Sequence, residues 1–376
     1  MTPKTGAISP ETLDFLRGVA AVYVVINHTR GAFFKGGKAI MAEAGSAPLT
    51  IFDYVSLAIL QLTSLGAEFV ILFFCVSGMA MAHSISRAPN PIQFYKKRVI
   101  RIWPSYVAAV GLAVVVCYSM VSTNSDNLIS VACHTKLCDL GHVAKMIFYI
   151  EPHSTLTPQF WSLPYEVIFY IVCPIILYSK SSVLWSLASS IFLAIIGSIW
   201  FGIGLNPSDS VLINFFINAL LWFMCGAAGY LFYDRIPRFR PVVFWMLSAL
   251  LLGFVLGTKL MVGYSNIVSN IAMILLTLVA VRNLPARLTG VKFLNWGEAS
   301  YSIYLFHYAI IGLISFILLE LFSVNAREIS SYFLWIVFLP LILASCIVLY
   351  FFTERPCNNY LKQLRTTESR KLAVER

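Results

Sequence analysis

Three ionisable residues interrupt an apolar stretch near the start of the chain, LDFLRGVAAVYVVINH (Leu13–His28): Asp14, Arg17 and His28. A helix advances about 100° per residue, so the eleven-residue step from Arg17 to His28 returns almost to the same face, with Asp14 close to that stripe. At about 1.5 Å per residue the step spans about 16 Å. Such a helix would present a guanidinium near one membrane surface and an imidazole well inside the bilayer. Ionisable groups are costly there, which marks them as functional by default. The competing reading is an arginine that snorkels and a histidine that hydrogen-bonds a neighbouring helix.

Two further groups of residues could join that chemistry. Arg98 and Arg101 are three apart and share a helix face. Guanidinium forks suit phosphate oxygens, so with Arg17 they could hold a phosphorylated cytosolic ligand such as a nucleotide-bearing cofactor. Ordinary anchoring by positive charge is the other reading; it explains Lys96 and Lys97 better than the three arginines, which sit at or inside the apolar boundary. Glu166, in FWSLPYEVIFY (160–170), and His28 each fall about six residues from the outer end of their spans, hence roughly 9 Å below the outer face. A carboxylate beside an imidazole fixes its tautomer, which is how a general base is oriented. Glu68 is the other partner available to His28, and a satisfied interhelical hydrogen bond is the competing reading for Glu166. His307, in YSIYLFH (301–307), lies in the inner third of its span. It reads as packing, or as lining a cofactor passage, rather than as sharing a site with His28. No Cys-x-x-Cys or His-Glu-x-x-His pattern occurs, so no metal site is expected.

The elements that must position these groups follow from composition. The 376 residues are 59% hydrophobic and 12% charged, with a mean hydropathy of +0.80. Soluble domains carry about 25% charged residues, so an all-α polytopic membrane protein is expected. The net charge of +10 is then no sign of nucleic acid, because the aromatic residues sit in apolar runs rather than among basic clusters. Ten runs approach spanning length, near 13–34, 65–83, 102–121, 160–179, 183–203, 211–233, 241–258, 262–281, 300–322 and 332–352. The mixed run at 51–65 suits an interfacial helix. Basic residues concentrate in alternate connections and in the C-terminal tail, which predicts one bundle with both termini cytoplasmic. The chain is expected to be a single domain over 1–376, without a cleavable leader or an appended soluble domain. Cys133 and Cys138 share the longest outer loop and read either as a local disulfide or as two free thiols.

The first-helix stretch, with its basic residue, ten intervening residues and histidine, resembles the signature of the acyltransferase 3 family of integral membrane acyltransferases. Arg98-Val-Ile-Arg101 is similar to that family's Arg-x-x-Arg motif. FFCVSGMAMA (73–82), FYKKRVIRIWPSY (94–106), FWSLPYEVIFY (160–170), GEASYSIYLFH (297–307) and FTERP (352–356) resemble its other landmarks, in the same order. The resemblance implies transfer of an acyl group, usually acetyl, from cytosolic acyl-CoA to a carbohydrate hydroxyl in the bacterial cytoplasmic membrane. The acceptors it implies are O-antigen, exopolysaccharide, peptidoglycan or lipo-oligosaccharide. It also implies that His28 is the essential histidine and that Arg17, Arg98 and Arg101 handle the donor. Family members often carry a second acidic residue after the glutamate, where this chain has Val167. Many also carry an extra-cytoplasmic hydrolase-like domain; a counterpart here would be a separate periplasmic polypeptide. Two mechanisms fit: direct transfer with His28 as base, or an acyl-imidazole intermediate on His28. The competing class is a transporter whose buried ionisable residues form a proton or substrate path, although no repeated pair of interrupted spans marks two pseudo-symmetric halves.

Overall fold

A computed structural model describes residues 8–34, 36–45, 48–86, 90–121, 137–201, 210–263, 267–289, 296–322 and 334–374. Among them every regular element is helical. The helices are α1 (Pro10–Phe33), α2 (Gly37–Ala44), α3 (Ile51–Leu62), α4 (Gly66–Ile85), α5 (Pro91–Val121), α6 (Leu140–Ile147), α7 (Leu163–Ile176), α8 (Lys180–Phe201), α9 (Val211–Leu231), α10 (Pro241–Val262), α11 (Ile267–Asn283), α12 (Ser300–Phe322), α13 (Leu334–Phe352) and α14 (Glu354–Val374). The 3₁₀ turn Pro158–Ser162 leads into α7, and a shorter 3₁₀ segment, Tyr233–Arg235, follows α9.

Each of the ten apolar runs is mostly helical among the described residues. Among the described residues, eight helical stretches are long and apolar enough to cross a membrane by length and composition, which makes this an all-α polytopic membrane protein. The remaining two runs are α1, with Asp14, Arg17, His28 and Arg30, and α11, which at 17 residues is short. The run at 51–65 forms α3, which leads into α4 through a break at 63–65. Helix ends follow local rules. Thr50 and Asp53 make a reciprocal capping box at the start of α3. Pro241 opens α10, and Gly263, at φ 82°, closes it in the left-handed conformation that glycine adopts without penalty.

The chain divides into two compact units. The first comprises α1 to Gly31, α2, α3, α4, α7 from Tyr165, and α8 to α11. Its centre is the pair α4 and α9, which touch backbone to backbone. A Cβ on Gly78 would lie 2.0 Å from the Phe223 carbonyl oxygen, and one on Gly226 would lie 1.9 Å from that of Cys75. Lipid leaves little hydrophobic force between helices, so such close packing of small residues is what joins them. Around this contact Phe223 stacks on Phe169 and meets Phe74 at a tilt. On α8 and α10, Trp185, Trp200, Leu250 and Met261 point outward, as lipid-facing side chains do.

The second unit holds residues 32–34, α5, α6, the 3₁₀ turn Pro158–Ser162 and α12 to α14. Its core forms around Tyr106 of α5, which stacks on Tyr149 with centroids 4.1 Å apart and donates to the Met146 carbonyl at 2.6 Å. Tyr149 takes a positive φ of 60° to do so. Cys138 lies with its sulfur 3.6 Å from that of Cys117 on α5; Cys133 lies outside the described residues.

Candidate functional site

In the first unit, Arg17 is only 7% exposed. Its Nη2 donates to Ser77 Oγ at 3.5 Å, and its guanidinium carbon stands 5.6 Å from the Phe73 ring centroid. Phe73 and Ser77 are one turn apart on α4, so FFCVSGM is the surface that receives Arg17. Its Nε is buried and makes no hydrogen bond, which leaves the cation with donor capacity for an anionic group. The first turns of α1 also pack on the Trp296–Gly297 turn. A Cβ on Gly297 would meet the Asp14 carbonyl oxygen at 2.0 Å, and one on Gly18 would meet Gly297 N at 3.0 Å. These contacts explain why glycine opens the GEASY segment.

Towards the other end of α1, the face carrying Tyr23, Asn27 and Arg30 is docked on the break between α3 and α4. Tyr23 Oη donates to the Leu62 carbonyl at 2.5 Å and Asn27 Nδ2 to that of Thr63 at 2.7 Å. Arg30 Nε reaches Thr63 Oγ1 at 3.1 Å. His28, the next residue after Asn27, is half-buried and lies about 100° round the helix from Asn27 and farther from Tyr23 and Arg30. Glu166 is 5% exposed, and one of its oxygens accepts a hydrogen bond from Tyr170 Oη, one turn along α7. His28 and Glu166 thus belong to the same unit. Glu68 is fully buried and engaged elsewhere: its Oε2 lies 3.0 Å from Lys259 Nζ. Sequence reasoning missed Lys259, which counts as an outer-loop charge until α10 is seen to run through it to Val262. The available signal was a single lysine at the end of a long apolar run.

In the second unit, Arg98 and Arg101 lie on one face of α5. The Arg98 guanidinium covers Phe94, 5.3 Å from the ring centroid. Arg101 faces Glu354 closely enough for the two charges to interact. Glu354, at the start of α14, is fully buried and accepts from the Ser302 backbone N–H at 3.1 Å and hydroxyl at 2.8 Å. Burial pushes its carboxyl above the usual carboxylate range, while Arg101, Ser302 and Asn358 hold the shift back. FTERP was legible as a landmark, but Glu354 was given no role; the missed signal was a carboxylate directly after an apolar run. His307 is fully buried, with Nδ1 3.0 Å from the Ile303 carbonyl one turn back. Nearby, Tyr304 Oη donates to the Gln159 carbonyl and lies 2.6 Å from Ser162 Oγ, and Gln159 Nε2 returns to the Leu305 carbonyl at 3.0 Å. That network ties α12 to the segment PQFWS and suits the packing reading of His307.

The family described as an acyltransferase domain matches residues 11–353, a stretch that takes in both units. The exopolysaccharide production protein ExoZ of Rhizobium meliloti (strain 1021) is 26% identical over 261 residues, covering 65% of this chain and 76% of that protein. No solved structure matches. With the landmark motifs placed on α1, α4, α5, α7, α12 and α14 and the match running across nearly the whole length, the chain belongs to the acyltransferase 3 family.

Proposed function

We propose that the protein transfers an acyl group, acetyl in particular, from cytosolic acyl-CoA to a hydroxyl of a cell-surface carbohydrate, acting from the bacterial cytoplasmic membrane with both termini inside. The family match over 11–353 carries this reading, and the name of the ExoZ relative supports a polysaccharide among O-antigen, exopolysaccharide and lipo-oligosaccharide as acceptor. His28 takes the proton from the acceptor hydroxyl as that oxygen attacks the thioester carbonyl. The carbon–sulfur bond breaks, the acyl group becomes an ester, and CoA leaves as its thiol after regaining a proton. Glu166 orients the imidazole. Arg17, Arg98 and Arg101 supply charge-assisted donors for the phosphates of the donor, a role supported by the unused Nε of Arg17. A separate periplasmic polypeptide could receive or present the glycan.

The test uses inside-out membrane vesicles with CoA thioester labelled on its acetyl group, following label into envelope glycans. Wild type is expected to transfer label, and His28→Ala to transfer none while inserting normally. An active His28→Ala variant would remove the base from the mechanism. A folded wild type that labels no glycan with any acyl donor would favour transport over transfer.

A further inference from the structure

The segment between α5 and α7 turns back along α5. Cys138 stands against Cys117 with the two sulfurs 3.6 Å apart, and Met146 and Tyr149 stand against Tyr106, eleven residues before Cys117 on α5. Eleven helical residues span about 16 Å, so α6 is held against α5 at two well-separated points. The tie at Tyr106 is strong: its hydroxyl donates to the Met146 carbonyl at 2.6 Å, and its ring stacks on Tyr149. The tie at Cys117 is one thiol beside another, and a thiol is both a weak donor and a weak acceptor.

Local structure fixes where Cys138 sits. It directly precedes Asp139, which caps α6 by accepting from the backbone N–H groups of Gly141 and His142 at 2.9 and 3.2 Å. With the start of α6 set by Asp139 and its end by Tyr106, Cys138 has little freedom to leave Cys117. Cys117 is fully buried on α5, whereas Cys138 is half-buried and, among the described cysteines, the one that lies outside a helix. A reagent in water therefore reaches Cys138 first. The inference rests on the orientation in the proposed function, which puts this end of α5 on the outer side. Thiols stay reduced in the cytosol, but an extra-cytoplasmic compartment oxidises those that touch. From 3.6 Å the sulfurs need approach by only about 1.6 Å to reach the bonding distance of about 2.0 Å, which rotation of a cysteine side chain covers.

We propose that Cys117 and Cys138 form a disulfide that clasps the start of α6 to the outer end of α5. The oxidant is a disulfide-bearing thiol oxidant of the extra-cytoplasmic compartment. The Cys138 thiolate attacks one sulfur of that disulfide, and one oxidant thiol leaves. The Cys117 thiolate then attacks the Cys138 sulfur, expels the second oxidant thiol and completes the bridge. The two cysteines give up two electrons and two protons, and the oxidant's disulfide becomes two thiols. The bond closes a loop with twenty residues between its ends, which restricts the unfolded chain.

The test maps thiols in protein taken from intact membranes. Thiols are blocked with N-ethylmaleimide as the protein is unfolded in detergent, and the unreduced chain is digested with trypsin. Cleavage after Arg101, Lys136 and Lys145 leaves Cys117 and Cys133 together in peptide 102–136 and Cys138 alone in peptide 137–145. Wild type is expected to yield these two peptides joined, with the maleimide on Cys133. In Cys133→Ser the joined pair should persist, and it should part on reduction. Joining through Cys133 in wild type, with the maleimide on Cys117, would overturn the proposal. So would peptides that are blocked and unjoined in both proteins. Maleimide labelling of cysteines placed at 136 and 287 reads orientation separately. Unjoined peptides in a correctly oriented protein strike the bridge alone, whereas an inverted protein strikes the topology of the proposed function and the bridge with it.

Discussion

At the scale of single residues, the arginines of α5 are not equivalent. Arg98 lies over an aromatic ring, whereas Arg101 faces a buried carboxylate. If both serve the donor, replacing them with Ala should raise half-saturation for acyl-CoA by tenfold or more, since a charge-assisted hydrogen bond contributes about 1.5–3 kcal/mol. Acceptor half-saturation should stay put, and an unchanged donor response would count against phosphate docking. Glu354→Gln separates holding Arg101 from holding the fold, because glutamine can still accept from Ser302. The carboxyl is raised by burial, so the folded protein binds its proton more tightly than the unfolded chain does. Stability from this group is therefore greatest at acid pH and falls as pH climbs through the raised value. Glu354→Gln should flatten that slope in thermal melts between pH 4 and neutrality while weakening donor use; a steeper slope would contradict the assignment.

At the scale of elements, apolar run length places the helices but says nothing about which ones touch. Gly78 and Gly226 show why. Each lies in a run where glycine looks ordinary, yet each marks a point where α4 and α9 meet at backbone distance. Gly226→Val should lower the melting temperature sharply, through overpacking that costs about 1–3 kcal/mol or more. Gly253→Ala is expected to leave it unchanged, because no atom lies within 4 Å of a Cβ there. A Gly226→Val protein as stable as wild type would mean that α4 and α9 are not in close contact. The break between α3 and α4 was half legible: the change of composition near 65 separated two segments, but only the fold supplied the side chains that cap it.

At the scale of the whole molecule, orientation is the property that charge predicts and that helix packing leaves untouched. Single cysteines introduced at Lys136 and Arg287 test it: a membrane-impermeant maleimide should label the first in intact cells and the second only after the membrane is opened. The reverse pattern would invert the topology and place His28 at the cytoplasmic side. Cysteine pairing is likewise a property of the tertiary arrangement. The sequence left Cys133 and Cys138 open as a local disulfide or as two free thiols; Cys133 lies outside the described residues, and the fold sets the Cys138 thiol 3.6 Å from that of Cys117, on a span 21 residues earlier.

What the amino-acid sequence determined by itself was the solvent, the helices and the ionisable residues that lipid should exclude. All three are local or compositional: hydropathy over about 20 residues decides insertion, and each buried charge announces its own cost. The sequence also placed Arg17 and His28 on one stripe, because helical periodicity is local too. Only tertiary structure decided the partners: Lys259 for Glu68, Glu354 for Arg101, Tyr170 for Glu166 and the α3–α4 break for Asn27. The physical reason lies in the reach of each interaction. Most of these contacts join residues far apart in the chain, within a few ångströms of each other, and in hydrocarbon every apolar helix face is nearly equivalent until small residues let two backbones close together.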